Sequence, residues 1–182
     1  MRFASAVPAY VSKRAALSLD SASACVAVAW VILANKPVYP IYVWWFAGEG
    51  VLASAATMLT APLYLAVILL ARRSGFAARL ALVLVGLADT LFETKLFGGA
   101  SATELFLAPC ALLAALAFGD DEIGWSRGLA VLIGAAFAVT HGRFGAPLHL
   151  WSAPALARLA SVNAYAVVSL SVFIVWRFPR GA

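Results

Sequence analysis

Residues 76–96, FAARLALVLVGLADTLFETKL, decide what kind of fold this chain can adopt. The stretch is apolar on every side of a helix and about twice as long as a barrel strand, which excludes a strand reading. A helix of roughly 20 such residues, rising about 1.5 Å each, crosses a hydrocarbon core of about 30 Å. The last third differs from the rest: Asp89, Thr90, Glu93, Thr94 and Lys95 crowd into it, and Glu93 shares the face of Asp89 at i+4. Asp89 lies about 20 Å from the start of the run. An ionisable group at that depth is expensive in lipid and by default marks function.

Working outward, five further runs of the same character occupy residues 15–34, 48–71, 103–118, 126–143 and 154–176. The whole chain of 182 residues is 64% apolar and 12% charged, with a mean hydropathy of +0.96. Soluble domains average about 45–50% apolar and about 25% charged, so a water-soluble globule is excluded. Polar breaks at Arg72-Arg73-Ser74-Gly75, Gly98-Gly99 and Gly119-Asp120-Asp121-Glu122 separate the runs. The reading is a single all-α domain, residues 1–182, built as a polytopic membrane bundle of six transmembrane helices whose first, 15–34, is an uncleaved span. Pro62 and Pro109 fall inside their spans and are expected to kink them, and Pro154 opens the last.

The net charge of +5 does not point to nucleic acid, because the basic residues stand at the ends of apolar runs. With the N-terminus inside, Arg2, Lys13, Arg14, Arg72, Arg73, Arg79, Arg127, Arg177 and Arg180 face the cytoplasm. Lys36, Lys95, Arg143 and Arg158 face the other side, so the positive-inside rule favours both termini in the cytoplasm. Trp30, Trp44, Trp45 and Trp151 then fall at outer span ends, and Trp125 and Trp176 at inner ones. The connection from Lys36 to Phe46 reads as an aromatic lid along the outer interface. The Ala-rich, Arg-over-Lys composition suggests a bacterial cytoplasmic (inner) membrane.

Other polar residues come to the level of Asp89 or above it. Asn163 lies about 13 Å into the last span, Glu104 opens the fourth, His141 ends the fifth, and Arg158 stands near the start of the sixth. With Asp89 and Glu93 these are the candidate ligand- or ion-binding residues, expected around one outer-facing cavity, with Asn163 the first candidate partner of Asp89 and Arg158 or His141 next. Ser101-Ala102-Thr103-Glu104 also reads as a capping box. His141 and His149 are the candidates for a metal, but no metal site and no cofactor are assigned. Nucleotide-binding loops, a G-x-S-x-G elbow and metal-ligand cysteine spacing are missing from the sequence; Cys25 and Cys110 read as buried thiols.

Trp30, Lys36-Pro37, Tyr39, Trp44 and Phe46 together resemble the first-loop pattern of the tryptophan-rich sensory protein family, over seventeen residues. That family has five spans where six are read here, and its later tryptophan and Leu-Asn motifs have no counterpart, so no ligand is carried over.

Three function classes remain open. The first is a small transporter or permease whose buried carboxylate handles a small solute or a proton. The second is a non-catalytic sensor module or a hydrophobic subunit that docks a membrane protein partner or a second copy. An intramembrane enzyme is third. In all three the bilayer itself is the principal partner.

Overall fold

The computed structural model describes residues 6–178, with side chains from Asp20 onward. Arg2, Lys13, Arg14 and Arg180, which entered the orientation count, lie outside those described side chains. All described elements are helical: α1 (Ala6–Ala47), α2 (Val51–Ala55), α3 (Ala61–Ala71), α4 (Gly75–Phe97), α5 (Leu107–Leu116), α6 (Ile123–Thr140) and α7 (Ala153–Arg177), joined in part by short 3-10 turns. Five segments are long and apolar enough to cross a membrane: Asp20–Ala47, Val51–Ala71, Gly75–Phe97, Asp120–Thr140 and Ala153–Arg177. The run expected to span at 103–118 forms a 3-10 turn, Thr103–Phe106, that continues into α5. Together these rise about 23 Å, short of a full crossing.

The first connection departs most from the sequence reading. Residues 35–47 are neither an outer loop nor a lid, because α1 runs on to Ala47 through Pro37 and Pro40. Each proline leaves the carbonyl four residues earlier, of Leu33 and Lys36, without its usual donor, which membrane helices tolerate. What carries the helix onward is its buried stripe. Ala24, Cys25, Val28 and Ala29 continue through Lys36, Tyr39, Val43 and Ala47 at three- and four-residue spacing. Trp44, Trp45 and Phe46 point outward. The placement of Trp30 in the aromatic belt is corrected with it, since about 25 Å of helix separates it from Ala47.

Pro62 and Pro109 behave alike. Each stands in the first turn of an α-helix, α3 or α5, where a missing N–H costs nothing, and the expected kink is taken up by the 3-10 turn just before it. In the first case the tightened turn, Ala56–Thr60, aims Thr60 and then Tyr64 at α4.

Two apolar clusters fill the bundle. The larger joins Cys25, Val28, Val67, Leu82, Val83, Leu113 and Ile174 among others. The smaller joins Tyr39, Val43, Leu96, Phe97, Ala155 and Leu159 at the end where Trp44, Trp45 and Trp151 gather, the aromatic end. There Gly50, at φ +69°, leaves room for Trp151: a Cβ on Gly50 would lie 2.2 Å from the indole. Lys95 donates to the carbonyls of Phe144 and Ala146 at 2.8 Å each, and Glu49 accepts from the Ser152 N–H at 2.7 Å, so the connection 141–152 is tied to α4 and to the α1–α2 turn. The opposite end carries Arg72, Arg73, Arg79 and Arg177 and is the basic end.

Candidate functional site

Between the two apolar clusters lies a polar layer. Lys36 on α1 is 5% exposed and its ammonium donates to both oxygens of Asp89, at 2.8 and 2.6 Å, and to Glu93 Oε1 at 2.7 Å. Thr60, from the 3-10 turn, donates to Asp89 Oδ1 at 2.7 Å, and the Tyr64 hydroxyl on α3 donates to Oδ2 at 2.7 Å. Asp89 therefore receives four hydrogen bonds from three segments, all well within the range for charge-assisted contacts. Glu93 has Lys36 on one oxygen, and among the described residues its other oxygen has no partner.

Beside this layer is a cavity of about 840 Å³. Lys36, Asp89 and Glu93 form part of its wall, and Tyr39, Phe106, Leu113 and Leu170 belong to the apolar remainder. Gly86 and Cys110 belong to it as well, where α4 and α5 approach so closely that a Cβ on Gly86 would lie 3.1 Å from the Cys110 sulfur. Ligand pockets usually enclose about 300–1,000 Å³ with few polar groups on a mostly apolar lining, and this one fits that description.

The electrostatics are uneven. One ammonium faces two carboxylates, and two other cations of the aromatic end are engaged elsewhere: Lys95 on loop carbonyls, and Arg158 on the Phe46 carbonyl at 3.1 Å. With all three groups ionised the layer carries one uncompensated negative charge. In a low-dielectric interior that charge favours the uptake of a proton or of a cationic ligand group.

The remaining candidates do not converge here. Asn163 is buried but spent on other partners: it accepts from Tyr39 at 3.1 Å and donates to the Ser101 carbonyl and Thr103 hydroxyl at 2.9 and 3.2 Å. It ties α7 to α1 and to the turn before α5, and does not touch Asp89. Arg158 stays at the surface of the aromatic end. His141 Nδ1 lies 3.1 Å from each oxygen of Glu104, so the two pair with each other at that end. The capping box also fails to form: Ala102, at φ 59°, is the N-cap, Ser101 bonds to Gly98 and Thr103, and Glu104 turns to His141. His149 packs edge-on against Trp151, with ring centroids 4.7 Å apart. Among the described residues no three His, Cys, Asp or Glu side chains gather in a metal-binding group.

Lys36, Thr60 and Tyr64 are the site residues that sequence reasoning missed. Asn35-Lys36-Pro37 has the composition of a turn, which places Lys36 among loop charges. A usable signal was present: the stripe 25, 28/29, 32 continues through 36, 39 and 43 without losing phase. A span holding two acids also demands a cation from somewhere.

Compared with models of protein families, with curated protein sequences and with solved structures, the chain matches none, so its function has to be read from this site.

Proposed function

We propose that the chain is a small carrier of the bacterial cytoplasmic membrane, with six membrane-embedded segments and both termini in the cytoplasm, moving a small solute or a proton by way of the Lys36–Asp89–Glu93 cavity. One observation carries this reading: an unbalanced ionic cluster sits deep among apolar helices on the wall of an 840 Å³ cavity. Buried charges are costly, and a chain that needed only to hold its helices together would gain as much from apolar packing. Charge compensation that is incomplete without a guest is what a carrier site requires.

The reading assigns the short segment Thr103–Leu116 to a sixth, membrane-embedded but not fully crossing position between α4 and α6. The hydrophobic-subunit reading keeps one observation in its favour: only 17% of the apolar windows of Asp120–Thr140 and Ala153–Arg177 is buried, which leaves broad apolar faces.

The test is proton movement in proteoliposomes that contain a trapped pH dye and are energised by a potassium diffusion potential. Wild-type protein should acidify the lumen faster than protein-free vesicles do, and Glu93→Gln should abolish the difference while inserting normally. A wild-type rate equal to that of empty vesicles, both with protons alone and with added amines, would exclude the carrier reading and favour the subunit one.

A further inference from the structure

The cavity has its mouth on one side of the bundle. Among the described residues every lining residue belongs to a helix or to the short turn leading into α5, and none to the connections 48–50, 72–74, 98–102, 117–122 or 141–152. The connections at the two ends therefore contribute nothing to its wall. Along one seam, in contrast, the lining residues are themselves exposed: Ala34, Asn35 and Tyr42 on α1, and Tyr165 and Ser169 on α7. These two helices are fastened at three levels: by Arg158 on the Phe46 carbonyl, by Tyr39 on Asn163 further along α7, and by Arg177 in the last turn of α7 on Ser23. Between the fastenings, side chains from 31–38 and 165–173 border the cavity. At about 18 Å along the helix from Ala47 or from Ala153, Asn35 and Tyr165 lie at the depth of lipid tails.

The chemistry behind that mouth is specific. The charged group on offer is the open oxygen of Glu93, in a layer one positive charge short. Asp89 is saturated by Lys36, Thr60 and Tyr64 and cannot take a further donor without losing one. Tyr42, Phe46 and Tyr165 supply aromatic faces near the entrance, which suit a cation in transit. Beyond the polar layer the lining is apolar and suits a chain rather than a hydrated ion.

We propose that the cavity receives an alkylammonium from the bilayer through the α1–α7 seam, with its ammonium on the open oxygen of Glu93 and its hydrocarbon in the apolar part. This names the substrate class for the carrier reading and rests on that reading for movement, not for binding. The ammonium can belong to a free lipophilic amine or to an aminophospholipid headgroup, since the recognising chemistry is shared.

Equilibrium binding of radiolabelled dodecylamine to the full chain in phosphatidylcholine nanodiscs tests it. Saturable binding is expected, undisturbed by excess dodecanol or dodecanoate, which share the chain but lack the charge. Glu93→Gln should weaken it by at least about tenfold. Ser169→Trp, a change at the exposed seam, puts an indole into the cavity space that the alkyl chain would fill and should weaken binding while leaving the melting temperature in place, and so keeps the test valid if the Glu93 variant is poorly folded. Exchanging part of the phosphatidylcholine for phosphatidylethanolamine separates the sources: loss of dodecylamine binding identifies the headgroup as occupant, and unchanged binding identifies the free amine. Absence of saturable binding, wild-type affinity in both variants, or equal competition by dodecanoate or by water-soluble methylamine would overturn the inference. Binding without flux defeats the carrier reading alone, and flux without dodecylamine binding defeats this one alone.

Discussion

α4 holds two buried ionic clusters, one near each end, and they are built differently. At the basic end Arg79, 4% exposed, forms a two-pronged pair with Glu122, with both contacts at 2.8 Å. Two further donors go to the Ala117 and Gly75 carbonyls at 2.8 and 3.3 Å, and Phe76 and Phe118 flank the guanidinium. One positive charge meets one negative charge, and two aromatic rings pack on the guanidinium. Toward the aromatic end Lys36 meets two carboxylates, one oxygen stays open among the described residues, and a cavity adjoins it. Burial and ion pairing are common to both. What separates a fastener from a site is charge balance and empty space beside it.

The largest expected effect comes from removing a cation. Lys36→Met leaves Asp89 and Glu93 side by side with no counter-charge and should destabilise the fold by about 3–5 kcal/mol. Chemical unfolding in mixed micelles measures it, and Asp89→Asn in the same chain should restore much of the loss. If the double variant is no more stable than Lys36→Met alone, the two residues are not energetically coupled and the contrast between the clusters dissolves.

A smaller cost is expected at the other cluster. Arg79→Lys keeps the charge but loses the planar fork on Glu122, at about 1.5–3 kcal/mol by the same unfolding measurement. Amine binding and proton flux per folded molecule should stay at wild-type level, and a drop in either would mean that the basic-end pair belongs to the working cycle.

Glu93→Gln sharpens the comparison in the opposite sense. It leaves a balanced Lys36–Asp89 pair and should change stability by less than about 1 kcal/mol, yet it should remove flux. A large loss of stability with flux retained would make Glu93 a second fastener. The mildest changes are Arg73→Cys and His149→Cys in a background lacking Cys25 and Cys110. Each should alter stability by no more than about 0.5 kcal/mol beyond that background and label from opposite faces of the membrane. Labelling from the same face would overturn the assignment of the basic end to the cytoplasm.

Parts of this contrast were legible before any coordinates. The depth of Asp89 follows from counting along an apolar run, and its shared face with Glu93 follows from the helical repeat. The partner was not legible, because nothing local distinguishes the lysine of a turn from the lysine of a helix that continues. Lys36 is 53 residues from Asp89 in the chain, and only the phase of α1 against α4 brings them together. Asn163 misled for the same reason. Its depth matched that of Asp89, but helices at equal depth can present different faces, and its amide had nearer partners in Tyr39, Ser101 and Thr103.

Composition and hydropathy by themselves determined that this chain is helical and membrane-like and that Asp89 and Glu93 sit within an apolar segment. These are sums over neighbouring residues, and any helix of that sequence would show them. Tertiary structure alone decided that α1 extends to Ala47, that Thr103–Leu116 is shorter than the five long apolar segments, and that Lys36 rather than Asn163 meets Asp89. It also decided that, among the described residues, only Lys36 bonds to Glu93, and on one oxygen. Each of these depends on which faces meet when the helices pack, and that choice is made by the whole bundle at once, through the cost of leaving a buried charge unpaired.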